Sequence, residues 1–338
     1  MNGGFNARKC SEQRGLRPRS HPSRAHDILD DVALAFITHP DCLLHEMGEG
    51  HPERPERLAA IEDTLIALRL DYVISRYEAP LATREQLLRV HDPDYVNRLT
   101  ELAPSAGLVQ IDPDTAMNPH TLPAALRAAG AAVLGTDLVI GGAADAAFCA
   151  VRPPGHHAER ARAMGFCFFN NVGIGVAHAL EAHGLSRVAV VDFDVHHGNG
   201  TEDMFHDDPR VLMVSIFEHP FYPGSGVEGR SERMVNVPLS AGAGSREFRE
   251  AVEQQWLPAL EGFRPQMLFI SAGFDAHRDD GMAFLRLLEP DYAWVTSLVR
   301  QVAAKYAGGR IVSLLEGGYD LDVLGRCVAA HLGELVAW

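Results

Sequence analysis

The chain of 338 residues reads as an α/β protein, a three-layer sandwich with a mostly parallel central sheet flanked by helices. Two observations predict this. Short, continuously apolar runs of the kind that doubly buried parallel strands show recur between helical stretches. Four of these runs also end in unusual polar clusters, after Val151, Val191, Ser271 and Leu315. Strands of a parallel sheet present their carboxyl ends on one edge, where open α/β sheets bind ligands. Four clusters far apart in sequence are therefore expected to meet.

Val32–Ile37 reads as the first strand, followed by a loop, His39–Arg54. Pro55 suits the first turn of a helix running to about Leu68. Tyr72–Tyr77 is a strand; Thr83 caps a short helix to Val90, with Glu85 in its first turn, and a second helix spans Pro93–Leu102. Ile111–Asn118 reads as a loop with two exposed acids, and Leu122–Ile140 as a long Ala-rich helix closed by Gly141 and Gly142. Ala146–Val151 is a buried strand that feeds a long loop punctuated by Pro and Gly, a form that is usually functional in a compact domain. The helix Val172–Ala182 precedes the central strand, Val188–Val191, and the short helix Thr201–His206 follows it. Then come strand Val211–Phe217, a loop containing FYPGSG, strand Met234–Val237, helix Arg246–Gly262 and strand Met267–Ser271. Helix Asp291–Ala307, strand Arg310–Leu315 and helix Leu321–Ala337 complete the chain.

Composition bounds the function. The hydrophobic fraction is 46% and the charged fraction 22%, ordinary for a globular chain. No apolar run is read as long enough to span a membrane, and the N-terminus lacks a signal-peptide core. The net charge is −15, while residues 1–26 carry six basic side chains and one acid, so the acidic body argues against nucleic-acid binding. That Arg-rich leader has no periodicity and reads as a disordered tail or a mis-assigned start, with residues 27–338 as a single catalytic domain. Cys10, Cys42, Cys149, Cys167 and Cys327 are scattered, odd in number and form no C-x-x-C pair, which points to free thiols in a reducing cytoplasm.

The stretch Arg187–Gly200, RVAVVDFDVHHGNG, carries the densest chemistry. Asp192, Asp194 and His196 are spaced by two, so an extended chain points them the same way. Buried carboxylates need a cation or a proton partner. Alone, a D-x-H pair more often caps a helix or packs in a core. Asp275, directly after a strand in SAGFD, reverses those odds, because Asp194, His196 and Asp275 give the three protein ligands of a catalytic zinc site. His156-His157, behind two prolines and a glycine, suits proton transfer. Tyr319, after Gly317 and Gly318, can donate to a developing oxyanion, the glycines leaving room for substrate. Taken singly, the paired histidines are loop residues and Tyr319 packs after a turn. Taken together, the clusters describe a metal-assisted hydrolase working through a metal-activated water.

The same residues carry a resemblance. GHPERPERL, RPPGHHA, MGFCFFNN, DFDVHHGNGT, SAGFDAH and EGGY, in this order from about residue 33 onward, resemble the histone deacetylase superfamily, in particular its bacterial class II-like deacetylases and amidohydrolases. The resemblance implies an arginase/deacetylase-type fold and hydrolysis of an acyl-amide bond, such as that of acetyl-lysine, at one zinc per chain. It implies that Asp194, His196 and Asp275 bind zinc and that His157 is the general base and then the acid. It further implies that His156 assists with Asp192, that Asn199 backs His157 where class I members have Asp and class II members can have Asn, and that Tyr319 polarises the carbonyl. A structural K+ (or Na+) is implied near Asp192, Asp194, His196 and Ser215. Asp112 or Asp114 matches the acid that grips substrate at the rim.

Three rivals stand beside this reading. A two-manganese ureohydrolase needs more carboxylates than DFDVHHGN offers. A non-catalytic acyl binder does not need the intact set of polar residues. A small-molecule or acetylpolyamine amidohydrolase shares the acyl-amide chemistry; Met282, apolar where polyamine-selective relatives carry an acid, speaks against it, with Asp279 and Asp280 close enough in sequence to substitute.

Overall fold

The computed structural model describes residues 34–228 and 231–336, besides Met1. The tail expected over residues 1–26 otherwise lies outside the described residues. The elements below belong to one compact unit, Val32–Trp338. The strands are β1 (Leu34–Thr38), β2 (Ile74–Glu78), β3 (Val109–Gln110), β4 (Ala116–Met117), β5 (Ala146–Cys149), β6 (Val188–Asp192), β7 (Val211–Glu218), β8 (Met234–Leu239), β9 (Met267–Ala272) and β10 (Ile311–Leu315). The helices are α1 (Glu56–Ala67), α2 (Arg84–Leu87), α3 (Pro93–Leu102), α4 (Thr121–Ile140), α5 (Asn171–Glu181), α6 (Asn199–Phe205), α7 (Ser245–Ala251), α8 (Leu257–Phe263), α9 (Glu289–Val302) and α10 (Leu321–Val336).

Eight strands form one sheet in the order β2-β1-β5-β10-β9-β6-β7-β8, parallel at every pairing. The central strands β6, β9 and β10 are buried along their whole length, as their unbroken apolar runs require. Alternation along the strands sorts the helices into two layers. Val312 of β10 meets α4 at Gly135, and Phe269 of β9 meets α5 at Gly175. On the other face Ser313 bonds His331 of α10 at 2.8 Å, and His331 also bonds Thr296 of α9 at 2.6 Å. Burial pulls the His331 pKa down to about 3, so it is a neutral core imidazole.

The structure departs from the expected elements in four places. Ile111–Asn118 is not all loop: β3 and β4 pair antiparallel, closed by Ile111 N–H donating to Thr115 O at 2.8 Å and by Asp114 N–H on Asp112 Oδ1 at 3.1 Å. The helix expected over 246–262 splits into α7 and α8 around a π-helical stretch, Val252–Trp256. Pro258 lacks an N–H and crowds the preceding turn, which a widened turn relieves. The helix expected over 291–307 likewise ends in a π-helical stretch, Ala303–Ala307, stopped by Gly308 at φ 60°. Finally, α4 is long and apolar enough to cross a membrane by length and composition alone, against the expectation that no run is. Here its small residues lie on the sheet; a side chain at Gly135 would start 3.2 Å from Ala147 and Val312 and 3.3 Å from Ile37.

A second glycine of α4, Gly130, lies against the backbone of Pro80. A Cβ there would overlap the Pro80 carbonyl and come within 3.0 Å of Ala82 N. Helix propensity alone favours Ala over Gly by about 1 kcal/mol. Overpacking against backbone costs roughly 1–3 kcal/mol and wins. Gly130→Ala is therefore expected to lower the urea midpoint with an unchanged slope; a raised midpoint would mean that α4 stands off from Pro80.

Candidate active site

Strands β5, β10, β9 and β6 are neighbours in the sheet, so their carboxyl ends lie side by side. The four polar clusters do meet. Asp194, His196 and Asp275 each offer one ligand atom, all within 4.8 Å of one another, and all three residues are buried. The extended run ends at Asp192, which turns to His156, while Asp194 and His196 stay together. Asp194 Oδ1 accepts from His196 Nδ1 at 3.0 Å, and its Oδ2 accepts from Gly317 N–H at 2.8 Å. Asp275 Oδ1 accepts from Val195 N–H at 3.0 Å. Its Oδ2 is buried, off the hydrogen-bonding direction of His196 Nδ1 at 3.2 Å, and has no other donor among the described residues. Burial and the neighbouring Asp194 push the Asp275 pKa up to about 6. Burial works against a charged His196, but Asp194 and Asp275 outweigh it and raise its pKa to about 10. Two buried carboxylates and an imidazole, with one carboxylate oxygen unpartnered, are a donor set suited to a divalent zinc.

The tandem histidines sit in unlike environments, with ring centroids 4.1 Å apart. His156 Nδ1 donates to Asp192 Oδ2 at 3.1 Å, and its Nε2 is 3.7 Å from Asp194 Oδ1. Burial opposes its charge, yet Asp194 and Asp192 raise its pKa to about 10. His157 Nδ1 bonds Asn199 Oδ1 at 2.8 Å. Burial, then the charges on His156 and His196, hold its pKa well below the usual imidazole range. One imidazole is thus charged and its neighbour neutral, so of the two only His157 is free to take a proton.

His157 and His196 reach a cavity of about 160 Å³, shared with Asp114, Phe166, Phe221, Tyr222, Met282 and Tyr319. Burial and the nearby Asp275 carry the Tyr319 pKa well above the usual phenol value, so the hydroxyl stays protonated. Arg57 lies over the Tyr319 ring at 4.8 Å, and Phe166 meets it edge-on at 5.9 Å. Phe166 holds a left-handed backbone, φ 69°, which costs a bulky residue on the order of 1–3 kcal/mol and keeps its ring on the wall.

Several sequence expectations change here. Of the two rim acids, Asp114 lines the cavity, while Asp112 holds the Asp114 backbone. Met282 lines the cavity as expected, but Asp280 does not stand beside it as a free acid. Asp280 is buried and accepts from the N–H groups of Tyr319 at 2.7 Å and Met282 at 2.9 Å. His197 points away, to Ser225 Oγ at 2.8 Å and Glu202 Oε2 at 2.7 Å. Gly317 makes room for the carboxylates rather than for substrate: a side chain there would run into Asp275 and Asp194.

Other residues escaped sequence reasoning. Glu316 takes the N–H groups of Gly155 at 2.7 Å and His156 at 3.1 Å, tying β10 to the histidine loop. Glu53 sits buried between Arg57 at 3.1 Å and Arg152, whose Nη2 is 2.7 Å away. Arg57 in turn donates to Gly318 O at 2.6 Å. The motif GHPERPERL was the available signal, but it names no partner for its charges. Among the described residues a second group, Asp137, His178 and His183, also gathers ligand atoms, partly exposed. Arg89 donates to His178 Nδ1 at 2.6 Å, so the ring proton sits on Nε2 and donates to Asp137 Oδ1 at 2.8 Å. That is a hydrogen-bond cluster, since a metal on Nε2 would aim an Nδ1–H at a guanidinium.

The histone deacetylase domain model matches residues 51–335. A Pseudomonas aeruginosa protein named histone deacetylase-like amidohydrolase is 38% identical, covering 91% of this chain and 85% of its own length. The human protein named polyamine deacetylase HDAC10 is 38% identical over 90% of this chain, which spans 48% of it. A Dictyostelium discoideum relative named type-2 histone deacetylase 2 is 34% identical over 92% of this chain, which spans 21% of that longer protein. The crystal structure of the HDA15 HD domain matches with a TM-score of 0.83 and 31% identity, covering 90% of this chain and 88% of that one. The mostly parallel sheet between helices is the arginase/deacetylase fold, and the chain belongs to the histone deacetylase family.

Proposed function

We propose that this chain is a zinc-dependent hydrolase that removes acetyl or other acyl groups from amide-linked amines such as acetyl-lysine. The observation that carries the reading is a neutral imidazole and a protonated phenol facing one cavity beside the buried carboxylates of Asp194 and Asp275. Zinc held by Asp194, His196 and Asp275 would supply Lewis acidity to the carbonyl and lower the pKa of water. His157, with Nδ1–H on Asn199, keeps Nε2 as the base. It takes a proton as water adds to the carbonyl carbon, then returns it to the nitrogen as the C–N bond breaks, giving a carboxylic acid and a free amine. His156, charged against Asp192, stabilises negative charge nearby without giving up its proton. Tyr319 donates to the carbonyl oxygen as charge develops.

A monovalent cation would suit the strand ends on chemistry: Ser215 Oγ is buried without a partner among the described residues, and Ser215 lies in register with Asp192. Asp114 is our choice for the rim acid that meets the substrate backbone. Free, buried Cys42, Cys149, Cys167 and Cys327 support a reducing, cytoplasmic setting. The acidic body supports an acylated amine rather than nucleic acid as partner.

Three measurements test these assignments. Tyr319→Phe keeps the ring and deletes only the hydroxyl; turnover of an acetyl-lysine peptide is expected to fall about a hundredfold with folding unchanged. A variant within threefold of wild type would leave Tyr319 a packing residue. Asp275→Ala is expected to lose activity and most zinc after dialysis; full retention of zinc would remove Asp275 from the ligand set. The alternative substrate class, acetylated polyamines, has the name of the human relative in its favour. Met282 at the cavity argues against it, so acetylspermidine is expected to be turned over less efficiently than the peptide, and the reverse order would favour the alternative.

A further inference from the structure

We propose that Glu159 is a positioning residue that fixes the tautomer of His157 by orienting Asn199, an inference that rests on His157 acting as the base. Glu159 does not line the cavity that His157 enters. It lies behind His157, on a separate cavity of about 430 Å³ with His197, Asn199 and Glu202. Its backbone is pinned on both sides: its N–H donates to Arg162 O at 2.9 Å, and its carbonyl accepts from His91 Nδ1 at 3.1 Å. The carboxylate is therefore presented from a fixed point. Asn199 Nδ2 donates to Glu159 Oε1 at 2.8 Å, and its remaining neighbours are the acceptors His157 O and Met164 Sδ, each at 3.4 Å.

An asparagine amide has two ends of similar shape and opposite polarity. With a carboxylate oxygen, a carbonyl and a thioether on one side, all acceptors, only the NH2 end fits there. A flip would set Oδ1 against the Glu159 carboxylate and an N–H donor against His157 Nδ1. Oδ1 is thus the atom held 2.8 Å from His157 Nδ1, and that nitrogen must carry the ring proton. Nε2 then keeps its lone pair on the cavity side. An aspartate at this position accepts through either oxygen and needs no orientation. An asparagine does, and Glu159 supplies it. The pairing is local in sequence at one end, Glu159 standing two residues after His157, and forty residues distant at the other.

The test uses the full-length, zinc-loaded protein with 15N-labelled histidine. In wild type the His157 spectrum is expected to show a proton on Nδ1 only; in Glu159→Ala it is expected to show a mixture of tautomers. Turnover of an acetyl-lysine peptide in Glu159→Ala is expected to fall roughly tenfold or more in kcat with KM little changed, the scale of a lost hydrogen bond to a charged group. Glu159→Gln, which keeps an acceptor without the charge, is expected to recover most of the loss. So is Asn199→Asp placed in the Glu159→Ala background. Turnover of Glu159→Ala within twofold of wild type would overturn the proposal. So would failure of both rescues, which would leave Glu159 a merely structural or charge-bearing residue. Absence of hydrolysis in wild type would sink the hydrolase reading by itself. The spectra would still decide the positioning role: one unchanged tautomer in both proteins overturns it, and a shift to a mixture sustains it.

Discussion

The structure turns on one constraint: Asp194 and Asp275 are two carboxylates buried together at the sheet edge, with no Lys or Arg paired to either among the described residues. Burial penalises both charges, and Asp194, kept ionised by the histidines around it, raises the cost of ionising Asp275. His196 relieves the strain only by taking a proton, which removes it as a neutral ligand. His156 shares in the relief and becomes charged. The neutrality of His157 follows first from its own burial and then from the charged imidazoles of His156 and His196 beside it. The chemistry of the cavity is thus a consequence of where two acids were buried.

Holding those acids requires a rigid frame beneath them. Gly317 has no side chain, so its N–H reaches Asp194 directly. The strand end that carries Gly317 is itself held by Arg57, which donates to the carbonyls of Glu316 and Gly318, and Arg57 is held by Glu53. Glu53 also takes Arg152, whose guanidinium reaches back to Cys42 O at 2.7 Å and His45 O at 3.1 Å. Removing one partner from such a buried set leaves an uncompensated charge, which costs on the order of 3–5 kcal/mol. Asp280 pins the Tyr319 backbone from the other side. The polar residues around the cavity therefore divide into those that face it and those that fix the facing ones.

The polar cluster at the strand ends was largely legible in the sequence, whereas the aromatic lining of the cavity, Phe166, Phe221 and Tyr222, was not. Asp194, His196 and Asp275 stand out because carboxylates and imidazoles follow directly on buried apolar runs, where only a function or a partner accounts for them. The parallel order then brings their strand ends together without any knowledge of side-chain contacts. The fixing residues were not legible. Glu53 and Arg152 lie 99 positions apart, and Arg57 and Gly318 lie 261 apart, so no local pattern links them. Asp280 looked like a free rim acid, since sequence does not say that its carboxylate folds back on the backbone N–H groups of Met282, Tyr319 and Asp320. Asn199 was visible as a departure from aspartate, but the Glu159 that orients it looked like any loop acid. The two π-helical stretches escaped because periodicity of 3.6 tolerates one widened turn.

The proposed chemistry requires that the buried acids hold one divalent cation. Calorimetric titration of zinc into metal-free protein, repeated in buffers of different ionisation enthalpy, tests it in one measurement. Without metal His196 has its pKa raised to about 10, so at neutral pH it carries a proton that a ligand must lose. The account predicts saturation at one zinc per chain with net release of about one proton or more at neutral pH. Saturation at two ions, no saturable binding, or binding without proton release would contradict it.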